Sequence, residues 1–126
     1  FGPETEMVLR ELRAICLSRL HADHHLGALS FLDAPGHRLC VFGPAAFGPW
    51  FEEYSAAAGI PLNYQFASAS GEQIIAVSDG VEVRSIAVEH CADAYGFRVA
   101  FASGQSIVYS GDTRPSENLV RQSADC

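Results

Sequence analysis

Four side chains able to bind a metal, His21, Asp23, His24 and His25, fall within five consecutive positions directly after the short apolar run 14–17. A buried strand that runs into a polar, histidine-rich loop limits the choice of fold. Open α/β sheets carry their ligand-binding residues on loops at strand ends, where side chains are held by a rigid layer yet reach solvent. The spacing of apolar residues elsewhere fits such a sheet. Residues 4–13 carry Met7, Val8 and Leu12 at helical spacing, 26–32 reads as a short helix, and 38–42 as a second buried strand. Phe47, Trp50, Phe51, Tyr54 and Ala58 recur on one helical face, and Gly59 and Pro61 end that helix. Residues 63–71 are small and polar, and read as a connecting loop.

The texture then changes. Residues 73–77, 81–88, 97–102 and 106–109 read as strands separated by glycine-containing turns at Gly80, Tyr95-Gly96 and Ser103-Gly104. Residues 115–122 read as a final helix capped by Thr113 or Ser116. Helices and strands alternating first and hairpins later predict a single layered α/β sandwich over 1–126.

Composition narrows the function. With 48% apolar and 18% charged residues the chain is globular rather than disordered. No apolar run approaches the roughly 20 residues of a membrane helix, and none resembles a signal peptide. The net charge is −7, and all eight basic residues are arginines, scattered singly. A surface that grips RNA through its phosphates is basic, so this segment alone is not expected to be an RNA-binding module. The acidic balance suits a site that concentrates cations. The four cysteines contain no CxxC pair, and Cys16 and Cys40 lie in apolar runs, which favours a reducing compartment over a disulfide scaffold.

Imidazole and carboxylate donors together suit zinc and its neighbours. Adjacent side chains in a loop point apart, so His21 with Asp23 and His24 can face two metals, and Gly27 lets the chain turn closely into the next helix. A solvated polar loop is the bland alternative; the density of ligands directly after a buried strand weighs against it. His90 closes a β-branched run, where a strand would deliver it to the same sheet edge, and Asp112 lies in a glycine-containing turn. Taken singly, His90 reads as a core or surface histidine and Asp112 as an Asx-turn or cap residue.

Together these stations resemble the metallo-β-lactamase superfamily. Arg19-Leu20-His21-Ala22-Asp23-His24-His25-Leu26-Gly27 is similar to its HxHxDH motif, His90 to its next histidine ligand and Asp112 to its bridging carboxylate. The doubled histidine with Leu26-Gly27, the stretch His90-Cys91-Ala92-Asp93-Ala94-Tyr95-Gly96 and Tyr109-Ser110-Gly111-Asp112-Thr113-Arg114-Pro115 resemble the long-form ribonuclease Z branch. The resemblance implies a partial αββα sandwich and two zinc ions. His21, His90 and Asp112 would serve one ion, and Asp23, His24 and Asp112 the other. It further implies that Asp23 orients or deprotonates a water, that the substrate of the full-length protein is precursor tRNA, and that the product is a tRNA with a free 3′-hydroxyl. An intracellular location follows, in nucleus, mitochondrion or plastid, with no membrane partner.

The match departs at position 19, where the motif has histidine and this chain has Arg19. A guanidinium stays protonated and offers no lone pair to zinc, so the first zinc site should be weakened or lost. The family's glycine-rich acidic motif would lie before the first helix, and its later histidine motifs after Cys126. Both ends therefore read as cuts, the domain as incomplete, and the 126-residue chain as inactive by itself. Two other readings stay open: a different hydrolase or phosphodiesterase of the same fold, and a non-catalytic domain that has lost ligands. Trp50 and Tyr54 could stack on bases, though their helical period favours core packing. Cys91, next to His90 in an expected strand, should point to the opposite face and pack.

Overall fold

The computed structural model describes residues 5–33, 38–78, 80–124 and 126; Glu4, expected to open the first helix, lies outside them. Two sheets stack face to face. Strands β1 (Ala14–Cys16), β2 (Leu39–Gly43) and β3 (Tyr64–Ser68) form a parallel sheet in that order. Strands β4 (Ile74–Ser78), β5 (Val81–Ala87), β6 (Tyr95–Phe101) and β7 (Ser106–Tyr109) form an antiparallel meander. Helices α1 (Thr5–Glu11), α2 (Ala22–His25), α3 (Leu29–Leu32) and α4 (Phe47–Ala58) connect the first sheet, with a 3-10 turn at Leu26–Ala28, and α5 (Glu117–Ser123) follows the second.

The period-2 alternation of β2 explains the layers. Leu39 and Val41 join Leu17, Ala28, Leu32, Phe47 and Phe51 in a core against the helices. Phe42, pointing the other way, joins Ala69, Val83 and Phe97 between the sheets, with Cys16, Ile75, Val77 and Val99 around them. The outer face of the meander carries α5: Asn118 Nδ2 donates to the Ala87 carbonyl, and Arg98 Nη1 to that of Gln122. The result is helix, sheet, sheet, helix, the expected αββα order. Phe42, Phe47 and Phe51 are wholly buried, and each contributes about 1.5–3 kcal/mol by leaving water. Trp50 packs on the helix-side core and stacks on Tyr54 with ring centroids 5.9 Å apart, as core packing predicts.

The α4 boundary follows its sequence signal. Gly59 adopts φ 68° and its N–H bonds the Ser55 carbonyl, a left-handed helix stop that residues with a Cβ rarely tolerate. Ser116 caps α5, its hydroxyl accepting from the Leu119 N–H.

Four expectations are corrected. Within 63–71, read as loop, Tyr64–Ser68 is β3, because Tyr64 and Phe66 alternate onto the helix-side core while Ala67 faces the second sheet. Tyr95 and Gly96 open β6 instead of forming a turn. The last part of 18–25 is helical: His21 is the residue before α2, with its carbonyl accepting from the His24 N–H at 2.9 Å. Finally, β5 ends at Ala87, so His90 and Cys91 lie on a bend, and Cys91 is exposed rather than packed.

Candidate metal centre

Three segments distant in sequence meet at one end of the stacked sheets: 18–25 after β1, 88–94 between β5 and β6, and 110–115 between β7 and α5. Backbone bonds join them. The Tyr95 N–H donates to the Ser18 carbonyl at 2.8 Å, and the Arg114 N–H to the Glu89 carbonyl at 2.8 Å. Thr113 Oγ1 accepts from the Glu89 N–H at 3.1 Å. Gly111, at φ 59°, is hemmed in: a Cβ there would lie 3.0 Å from the Tyr95 carbonyl oxygen and 3.3 Å from the Ser18 Cβ. The close approach that fixes Asp112 thus depends on a missing side chain.

The side chains converge on Arg19, which is only 6% exposed. Its Nη1 donates to His90 Nε2 at 3.1 Å and ion-pairs with Asp112 Oδ2. Its Nη2 lies 3.8 Å from Asp23 Oδ2. His24 Nε2 is 3.5 Å from Asp23 Oδ2 and 3.8 Å from Asp112 Oδ2. His21, exposed, is edge-on to His90 with ring centroids 5.9 Å apart. All five residues expected to ligate metal are therefore brought to one place, with the guanidinium in their midst. The hydrogen bond from Arg19 does most to hold the Asp112 carboxyl below its ordinary 3.8; burial opposes it, and the charge of Arg19 adds to the lowering.

The donor chemistry separates two halves. Ligand atoms 2.0–2.2 Å from a tetrahedral zinc lie roughly 3.3–3.6 Å from each other. The two separations from His24 Nε2 come close to that spacing. His24 Nδ1 sits 2.9 Å from Ser18 Oγ; in the tautomer where Nδ1–H donates to that hydroxyl, the Nε2 lone pair is free for a metal, an orientation given by an outer partner. Asp23, His24 and Asp112 come nearest to such a set, but Asp112 Oδ2 is also the oxygen that ion-pairs with Arg19. The set His21, His90 and Asp112 does not fit, because the His90 lone pair and an Asp112 oxygen are engaged by Arg19. Accordingly, among the described residues no group of three or more His, Cys, Asp or Glu side chains is arranged as a ready-made metal site.

The fourth histidine of the motif has another role. His25 is buried, edge-on to Trp50 at 4.5 Å and to Phe47 at 5.2 Å, so it anchors the ligand-bearing turn in the aromatic core. Burial lowers its pKa from the ordinary 6.5, keeping it neutral. Ser18 is the residue that the sequence did not single out. It stands one position before the motif, and its contact with Tyr95 has no local signal. A cavity of about 420 Å³ lined by Glu89, Arg114, Pro115, Glu117 and Asn118 flanks the segments that carry His90 and Asp112.

Residues 2–126 match the family model described as the beta-lactamase superfamily domain. Zinc phosphodiesterase ELAC protein 2 of Homo sapiens is 32% identical over 152 residues, covering 99% of this chain and 18% of that protein. Ribonuclease Z 1 of Schizosaccharomyces pombe is 31% identical over 147 residues, covering 99% of this chain and 18% of the relative. The chain thus spans less than a fifth of these relatives' length. The crystal structure of human tRNase Z, short form, superposes with a TM-score of 0.69 at 15% identity, over 91% of this chain and 57% of that one. At that identity the likeness speaks for the fold.

Proposed function

The chain belongs to the beta-lactamase superfamily, and on that premise we propose that the full-length protein carrying it is a zinc-dependent endoribonuclease that removes the 3′ trailer of precursor tRNA. The observation that supports this most is the meeting of Asp23, His24, His90 and Asp112, drawn from three segments, at one sheet end. The names of the relatives, a zinc phosphodiesterase and a ribonuclease Z, point the same way.

In this reading Asp23, His24 and Asp112 would hold zinc. Zinc bound there supplies Lewis acidity toward a phosphoryl oxygen and toward water. Asp23, at the rim with its side chain 72% exposed, orients the attacking water and accepts its proton. The water oxygen bonds to phosphorus, the bond from phosphorus to the 3′ oxygen breaks, that oxygen takes up a proton from solvent, and the tRNA leaves with a 3′-hydroxyl and the trailer with a 5′-phosphate. Ser18 keeps His24 in the ligating tautomer.

The test is trailer release from a precursor tRNA by the full-length protein with zinc. A mature 3′-hydroxyl end and a drop of at least about 100-fold on Asp112→Ala are expected, the scale of losing a shared ligand or its support. Undiminished cleavage by that variant, or release of the trailer with a 3′-phosphate on the tRNA, refutes the proposal. Arg19 favours a second reading, a domain that keeps the fold and no longer catalyses; full-length protein that holds zinc without cleaving any phosphodiester would support it.

A further inference from the structure

We propose that the guanidinium of Arg19 is a resident cation standing where one of two metal ions would be, so that the set His21, His90 and Asp112 takes no metal. The inference rests on reading the cluster as a metal centre, as above, and is independent of RNA as the substrate.

The geometry carries it. Arg19 is buried among the donors rather than swung to solvent. One nitrogen, Nη1, contacts both His90 Nε2 and Asp112 Oδ2. These are the lone pairs a metal would need, and a metal ion would likewise be shared between an imidazole and a carboxylate. A buried cation requires a compensating anion, and Asp112 supplies it, with Asp23 3.8 Å from the second nitrogen. The arrangement therefore satisfies the two carboxylates with the protein's own charge. Because guanidinium cannot lose its proton at any working pH, metal cannot displace it by taking over a lone pair, as it does with histidine. Arg19 is a positioning residue in this scheme: through Nη1 it holds His90 and Asp112 together.

The experiment compares full-length wild-type protein with Arg19→His and Arg19→Gln. Each is stripped with chelator, reloaded with zinc, and analysed for metal content and by calorimetric titration. Arg19→His is expected to hold about one zinc more per molecule than wild type, the introduced imidazole completing a set with His21, His90 and Asp112. Arg19→Gln frees the same lone pairs without adding an imidazole, so it should gain the extra ion at least about tenfold more weakly, the scale of losing support for a metal ligand. Equal and non-zero zinc content in wild type and Arg19→His overturns the inference and leaves the metal-centre reading standing. Absence of zinc from both overturns the two together. Should Arg19→His not accumulate in soluble form, Arg19→Gln against wild type decides, since an unchanged count there also refutes the resident cation.

Discussion

Cys16 lies on the face of β1 that meets the second sheet, where burial first and neighbouring Cys40 second push its thiol from 9.0 up to about 11. Burial raises Cys40 as well. Thiolate is the reactive form, so at about pH 8 a disulfide reagent should modify the exposed Cys91 and Cys126 and reach Cys16 and Cys40 only after denaturant is added. The same shift acts on stability. The folded chain holds the Cys16 proton more tightly than the unfolded chain, so its contribution is complete below pH 9 and is lost as pH rises through 9 to 11. The urea midpoint should fall across that window, and Cys16→Ala should fall less steeply; parallel slopes would refute the assignment. That Cys16 and Cys40 turn inward was legible from their apolar runs, though both are half-buried rather than buried. Cys91 was not, because its expected orientation presumed that β5 continued through His90, whereas the strand stops at Ala87. Arg19 was legible as a departure from a motif. That its side chain would fold inward to His90 and Asp112 was not, since only tertiary contact shows which groups share a cavity.

Glycine placement decides how well the connecting elements hold. Gly59 after α4 and Gly111 after β7 have similar positive φ, 68° and 59°, but a Cβ at Gly59 would meet nothing within 4 Å. Gly59→Ala should therefore cost about 1 kcal/mol, the penalty of a left-handed residue with a Cβ. Gly111→Ala adds a collision with the Tyr95 carbonyl, which is backbone and cannot swing away. It should cost at least twice as much, and it should also shift Asp112, which the Gly59 change leaves alone. Urea unfolding of the two variants measures this, and equal losses would show that the three segments are not locked as described. Among the elements, α4 was legible because five apolar or aromatic positions and two stop signals agree. β3 was hidden because its polar positions, Gln65 and Ser68, gave a short strand at the sheet edge the composition of a loop. Its partner β2 supplies the missing information through pairing, not through anything local to 64–68.

At the scale of the molecule, the fold brings metal donors together and does little to attract a polyanion. The chain carries a net charge of −7. Of its eight arginines, Arg19 is buried and paired with Asp112, Arg121 pairs with Glu72 at 2.5 Å, and Arg98 is engaged by Gln122 and Ser106. The arginines are outnumbered by fifteen Asp and Glu residues, and each neutralised phosphate is what gives non-specific binding its strength and its steep dependence on salt. The 126-residue chain should therefore bind precursor tRNA no more tightly than about 10⁻⁴–10⁻⁶ M at physiological salt, the range of non-specific contacts, and should release no trailer when supplied with zinc. The reason for both is the same: a centre whose donors are engaged by Arg19, in a chain of net negative charge, has neither a complete metal pair nor an electrostatic grip on its substrate. Filter binding across a salt series and a trailer-release assay on the chain measure the two effects separately. Submicromolar binding with a steep loss on adding salt would mean that the scattered arginines form a phosphate track, and cleavage by the chain would mean that one cation beside Arg19 suffices for the chemistry.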